Sequence, residues 1–234
     1  MIRFVFLDLD DTLLDFHRSE EQAIKKTVKT LADRDVDEAE IALYRAVNEG
    51  FWKRLERGEI TRDELRVARF DAFFAELGLH ASAQMAKTVY ERALGTGHYF
   101  IEGAPSLLMQ LSKQYSLYLA SNGTASVQHS RIERSGIARY FKGIFISEDL
   151  GVNKPDPAYF DACFATIPNF DRTEAIILGD SLTSDILGGP NAGILTCRFN
   201  PRALPGREDI KPHYEISDLA QFSPLLEQIN AGNA

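Results

Sequence analysis

Three acids and a threonine, Asp8-Leu9-Asp10-Asp11-Thr12, follow directly on an apolar run from Ile2 to Leu7. Residues two apart on an extended chain share a face, so Asp8 and Asp10 are expected to point the same way where the strand ends. Carboxylates crowded at the mouth of an apolar strand repel one another and are poorly solvated, which favours a cation among them. Oxygen-only donors suit a hard ion such as Mg²⁺, which takes carboxylates, water and substrate phosphate. Taken alone, the pair reads as an acidic turn. Residues further along the chain decide against that reading.

Three later segments also end an apolar run in polar groups. Ser121-Asn122-Gly123 follows Tyr115–Ala120, and the Ser121 hydroxyl with nearby backbone N–H groups could hold a phosphate oxygen. Alone, the tripeptide is most often a turn. Lys154 sits in Asn153-Lys154-Pro155-Asp156-Pro157, where prolines fix the backbone ahead of a helix. An isolated lysine is usually a solvated charge, but this one is the single cation among these strand-end groups. Asp180 follows Ile176-Ile177-Leu178-Gly179, and Asp185 falls about one helical turn later. Each could be a helix cap, and each could also face a metal.

The elements that must position these groups follow from periodicity. Near-continuous apolar strands are expected at Ile2–Leu7, Tyr115–Ala120, Gly143–Ser147, Ala175–Leu178 and Ile194–Phe199, alternating with helices such as Ala125–Gly136 and Pro157–Ile167. That alternation means a parallel sheet covered on both faces. Ligands of such sheets bind beyond the carboxyl ends of the strands, where the polar groups lie. Residues 18 to about 95 hold no convincing strand. Ile24, Val28 and Leu31 recur at helical spacing, as do Tyr44, Val47, Phe51 and Leu55, and Thr61 with Glu64 forms a capping-box signature. We expect an α/β core from 1–15 and 98–234, with a bundle of about four helices inserted at 16–97. Asp15–His17 and Gly95–His98 are the expected hinges, and Asn230–Ala234 reads as a frayed tail.

The chain has 234 residues and a formal charge of −8, with a pI near 5.2. It carries no basic footprint for a nucleic-acid polymer or an anionic membrane, and no apolar run long enough to span a bilayer. Cys163 and Cys197 each lie in an apolar stretch and read as buried small hydrophobes in a reducing, cytoplasmic setting. The five histidines show no metal-ligand spacing, and both the dinucleotide fingerprint and the Walker pattern fail. Phe51 and Trp52 read as bundle core; the sharper alternative is an aromatic wall for a nucleobase.

In this order, Asp8-Leu9-Asp10-Asp11-Thr12, Ser121, Lys154 and Gly179-Asp180-Ser181-Leu182-Thr183-Ser184-Asp185 resemble the haloacid dehalogenase superfamily of phosphohydrolases. The inserted bundle is similar to that superfamily's α-helical cap, on a Rossmann-like core. Thr61-Arg62-Asp63-Glu64, Ser147-Glu148-Asp149-Leu150-Gly151 and Tyr214-Glu215-Ile216 look most like the noncanonical pyrimidine 5′-nucleotidases within it. The resemblance implies that Asp8 attacks phosphorus and that Asp10 protonates the leaving oxygen, then activates water. It implies Mg²⁺ held by Asp8, the Asp10 backbone carbonyl and Asp180, with Asp185 acting through water. Ser121 and Lys154 would neutralise phosphoryl oxygens, with Asn122, Gly123 and Thr12 beside them; His17 and Trp52 are the candidates for substrate choice.

The implied substrate is a small phosphate ester, a nucleoside monophosphate first, in a monomer or homodimer. A phosphatase for sugar phosphates or phosphoglycolate, or a phosphomutase, would share the same core residues. A dehalogenase fits less well, because it lacks the second acid found here at Asp10. A phospho-ligand sensor without turnover is the reading from another class; Mg²⁺-dependent hydrolysis of an aryl phosphate distinguishes it.

Overall fold

A computed structural model describes residues 1–232. The chain divides into two compact units, residues 1–15 with 98–234 and residues 16–97. The first opens with strand β1 (Phe4–Leu7). The second holds four helices: α1 (Phe16–Ala32), α2 (Glu38–Glu56), α3 (Arg62–Glu76) and α4 (Ala83–Leu94). The first unit then resumes with α5 (Ala104–Leu111), β2 (Ser116–Ser121), α6 (Ala125–Ser135), β3 (Gly143–Ile146) and α7 (Ser147–Leu150). It ends with α8 (Pro157–Phe164), β4 (Ala175–Gly179), α9 (Leu187–Asn191), β5 (Leu195–Phe199), β6 (Tyr214–Ile216) and α10 (Phe222–Asn230).

All six strands pair in parallel, in the order β3-β2-β1-β4-β5-β6. The expected α/β core with a parallel sheet is what forms. The period of two sorts side chains onto two faces. Val5 and Leu7 pack with Leu107, Leu108, Ile132 and Leu226 of α5, α6 and α10, while Phe4 and Phe6 pack with Tyr159, Phe160 and Phe164 of α8. Strand order reverses between β1 and β4, which places a switch point where Asp8 and Asp180 leave adjacent strands.

Three details depart from the sequence reading. Tyr214–Ile216 forms a sixth strand, three residues long, along the edge of β5. Asn230 is not frayed: it ends α10, and its side-chain carbonyl accepts the Ile2 N–H at 2.5 Å. Residues 233–234 of that expected tail lie outside the described residues. On α2 the buried track is Ile41, Tyr44 and Asn48, not the Tyr44–Val47–Phe51–Leu55 stripe.

The reason for the α2 shift is a polar chain inside the helical unit. Asn48 donates to Glu20 at 2.8 Å and accepts from Arg69 at 2.9 Å, all three side chains being buried. Satisfying those groups fixes α2's rotation more firmly than one more apolar contact would. Tyr44, Phe70, Phe73 and Tyr90 form the aromatic core beside this chain. Thr61 and Glu64 make the expected capping box, and Asp37 with Glu40 makes a second one. Among the described residues no helix is long and apolar enough to cross a membrane. Cys163 and Cys197 are buried free thiols, pushed up to about 12 by burial.

Candidate active site

Lys154 is the centre of the strand-end cluster. Its ammonium donates to Asp8 at 2.7 Å, to Asp185 at 2.6 Å and to the Ala120 carbonyl at 2.7 Å, with the side chain 1% exposed. A buried ammonium needs such partners, because losing water costs several kcal/mol (roughly) unless paired and hydrogen-bonded. Burial alone would lower the lysine's proton affinity, but Asp185 and Asp8 reverse this and hold it charged. The Lys154 backbone is fixed too: Asn122 accepts its N–H at 2.9 Å and donates to its carbonyl at 2.8 Å.

The acids carry more negative charge than one lysine balances. One oxygen from each of Asp8, Asp180 and Asp185 lies within 4.8 Å of the others. Burial pushes the Asp8 carboxyl up to about 7; Lys154 opposes this, and Asp185 and Asp10 add to it. Burial likewise raises Asp180 well above the carboxylate range, helped by Asp8, Asp185 and Asp11. A cluster of hard oxygens that prefers to keep a proton is suited to a divalent cation in the proton's place. The donor set therefore fits Mg²⁺.

Gly179 makes the close approach possible. A Cβ built there would lie 2.2 Å from an Asp185 carboxylate oxygen, so only glycine lets the Asp185 side chain lie against the end of β4. Asp185 itself is fixed by the Ser181 N–H at 3.2 Å. Gly179→Ala is expected to expel Asp185 from the cluster and to cost about 1–3 kcal/mol by overpacking. Thermal unfolding with and without Mg²⁺ checks it: the variant unfolds earlier and gains less from the ion than the wild type does.

Asp10 behaves differently from Asp8. It is 24% exposed, and its carboxylate is engaged from helix α6. Gln128 donates to one oxygen at 2.7 Å, and Arg131 donates to the other. The same Gln128 amide nitrogen donates to the Ser121 hydroxyl at 2.8 Å, and the Gln128 carbonyl accepts from Arg131 at 3.0 Å. The sequence reading missed both residues and named Lys154 as the single cation. The available signal was a buried-face register: Gln128 and Arg131 share the helical stripe of Val127 and Ile132, where apolar residues are expected.

The residues beside Ser121 are held by neighbouring loops. Asn122 uses its side-chain amide on both backbone groups of Lys154 and so positions the lysine, which leaves the expected phosphate contact to its backbone N–H. The Gly123 N–H donates to the Ser147 hydroxyl at 3.2 Å and is committed there. A turn that packs against a neighbouring loop uses its N–H groups for that packing. Thr12 is fully buried, and no described residue partners its hydroxyl.

In the helical unit, His17 is half-buried on the first turn of α1, and its carbonyl accepts from Arg45 at 3.0 Å. Trp52 is half-buried with the Arg62 guanidinium 5.6 Å from its ring centre, and Phe51 is half-buried beneath Arg54. Neither ring is bundle core. Each ring has an adjacent arginine as a cation–π partner at the helix surface.

A family model for haloacid dehalogenase-like hydrolases matches residues 2–193. The HAD-hydrolase YfnB of Bacillus subtilis is 38% identical over 96% of this chain and 95% of its own length. A crystal structure of YfnB, described as bound to magnesium, has a TM-score of 0.91 and covers 96% of this chain and 98% of that one. Pyrimidine 5′-nucleotidase PynA of Streptococcus pneumoniae is 35% identical over 97% of this chain and 95% of its own. Pyrimidine 5′-nucleotidase YjjG of Escherichia coli is 30% identical over 95% of this chain and 97% of its own. With the model spanning most of the chain and these likenesses running nearly end to end, this enzyme belongs to the haloacid dehalogenase-like hydrolase family.

Proposed function

We propose that the protein is a Mg²⁺-dependent phosphomonoester hydrolase that works through an aspartyl-phosphate on Asp8, with pyrimidine nucleoside 5′-monophosphates as its preferred substrates. The observation that carries the chemistry is the buried Lys154 ammonium shared by Asp8 and Asp185 beside Asp180. The likeness to two pyrimidine 5′-nucleotidases supports the substrate class.

In this reading Asp8 attacks phosphorus, an O–P bond forms and the ester bond breaks. Asp10 gives its proton to the departing oxygen. Water then attacks the aspartyl-phosphate while Asp10 takes the proton back, which regenerates Asp8. Dividing the displacement in two lowers each barrier, and acid–base assistance contributes ~10²–10⁴-fold. Lys154 and the Ser121 hydroxyl meet the negative phosphoryl oxygens, the main electrostatic task in this chemistry. Asp8, Asp180 and the Asp10 backbone carbonyl, with Asp185, would hold Mg²⁺, which would supply further charge neutralisation.

A hydrolysis screen over nucleotides, sugar phosphates, short phospho-acids and an aryl phosphate, with and without Mg²⁺, tests this directly. Highest kcat/KM on pyrimidine monophosphates is the expected result. Preference for a sugar phosphate would overturn the substrate assignment, and no Mg²⁺-dependent turnover of any ester would overturn the reaction.

The core groups recognise only phosphoryl group and metal, so we assign the choice of leaving group to residues 16–97, with Trp52 and His17 foremost. Trp52→Ala and His17→Ala are expected to change the nucleotide-to-aryl-phosphate ratio by about tenfold, as losing one base–aromatic contact does. An unchanged ratio in a destabilised protein would mean that Trp52 serves only the packing of α2.

A further inference from the structure

Helix α6 holds the Asp10 carboxylate by two side chains one turn apart, and Arg131, its charged anchor, has no exposed surface. A guanidinium is costly to bury, so it is retained where it has a specific partner to fix. An ion pair tying α6 to the loop after β1 would satisfy that requirement with Arg131 alone. Gln128 adds something different. Its single amide nitrogen donates both to Asp10 at 2.7 Å and to the Ser121 hydroxyl at 2.8 Å. One rigid group thereby sets the distance between a carboxylate on the β1 loop and a hydroxyl at the end of β2. Arg131 braces that amide by donating to its carbonyl at 3.0 Å.

We infer that Gln128 and Arg131 are positioning residues that aim the Asp10 carboxyl at the leaving oxygen while the phosphoryl group rests on Ser121. The inference rests on the phosphohydrolase reading above, and it adds two residues to that site. Gln128 links the phosphoryl contact to the acid–base group, so it affects both binding and proton delivery. Arg131 donates to the Asp10 carboxylate and to the Gln128 carbonyl, so its first expected effect is on proton delivery.

The dependence on leaving group separates aiming from mere support. When the ester bond of uridine 5′-monophosphate breaks, the departing alkoxide needs the Asp10 proton. When 2,4-dinitrophenyl phosphate breaks, the phenolate departs without one. Formation of the phosphoenzyme in a single turnover, with Mg²⁺ present, isolates this step from the later attack of water. Arg131→Met is expected to slow it with the nucleotide at least about tenfold more than with the dinitrophenyl ester, at unchanged KM, and Arg131→Lys restores part of the difference. Gln128→Leu is expected to show the same discrimination and to raise KM for both esters, because Ser121 loses its tether.

Circular dichroism and the thermal midpoint establish that each variant is folded. If Arg131→Met does not fold, Arg131→Lys and Gln128→Leu decide. Equal slowing of both esters in the folded variants would overturn the inference and leave a structural ion pair. A wild type that transfers phosphoryl from neither ester would instead remove the phosphohydrolase reading, before any variant is compared.

Discussion

Asp8→Asn is expected to reduce Mg²⁺-dependent hydrolysis by more than ~10⁴-fold, the scale on which loss of a covalent nucleophile is felt. The amide is nearly the shape of the carboxylate, and Asp8 sits with 6% of its surface exposed, so the variant should fold. It should fold more stably at neutral pH. The Asp8 carboxyl lies at about 7 in the folded chain against an ordinary value of 3.8, so the folded state binds its proton more tightly. The stability this contributes is full below the ordinary value and is lost as pH rises through the folded one. The metal-free wild type should therefore lose stability from about pH 4 to about pH 8 more steeply than Asp8→Asn does. Mg²⁺ should recover more of the loss at the upper end, where it has no proton to displace. Thermal unfolding across that range, with and without the ion, measures both effects. Wild-type-like turnover in folded Asp8→Asn would refute the covalent scheme.

Lys154→Met should cost about 3–5 kcal/mol of stability, the usual result of removing one partner from a buried ion pair. Here two acids lose their counter-charge, since the ammonium bonds both Asp8 and Asp185. The methionine fills similar volume, so the loss measures charge, not a cavity. Protonating a carboxyl relieves the uncompensated charge, so the deficit should shrink at acid pH and be largest above neutrality. Turnover should fall as well, because the phosphoryl oxygens lose a buried cation. Urea unfolding at two pH values reads the stability, and kcat/KM on the best phosphate ester reads the chemistry. A variant with normal kcat/KM would mean that Lys154 is only a structural counter-ion. If the deficit is independent of pH, the acids were not its source.

Much of the core was legible because it is local. Apolar runs of four to six residues (β1 to β5) ended by polar groups gave the strands and their carboxyl ends. A parallel sheet then had to gather Asp8, Lys154, Asp180 and Asp185 at one edge. The two units were readable for a similar reason: residues 16–97 carry only the helical period. Buried free thiols at Cys163 and Cys197 followed from their apolar neighbours.

What remained hidden depends on partners distant in the chain. Asp10 meets Gln128 and Arg131 across 118 and 121 positions, and nothing local to α6 says which strand end its polar stripe will face. Nothing local to the turn after β2 shows that the Asn122 side chain will hold the Lys154 backbone or that the Gly123 N–H will meet Ser147. Tyr214–Ile216 is too short to announce itself; the open edge of β5 makes it a strand by pairing with its backbone. Asn48 rotated α2 away from its apolar stripe because Glu20 and Arg69 needed a buried partner between them. The sequence by itself determined which segments form strands and helices and which acids and lysine leave the strand ends, since propensity and period act over a few residues. Only the tertiary structure decided which polar atoms satisfy one another, because burial forces each donor to find an acceptor among whatever the fold brings near.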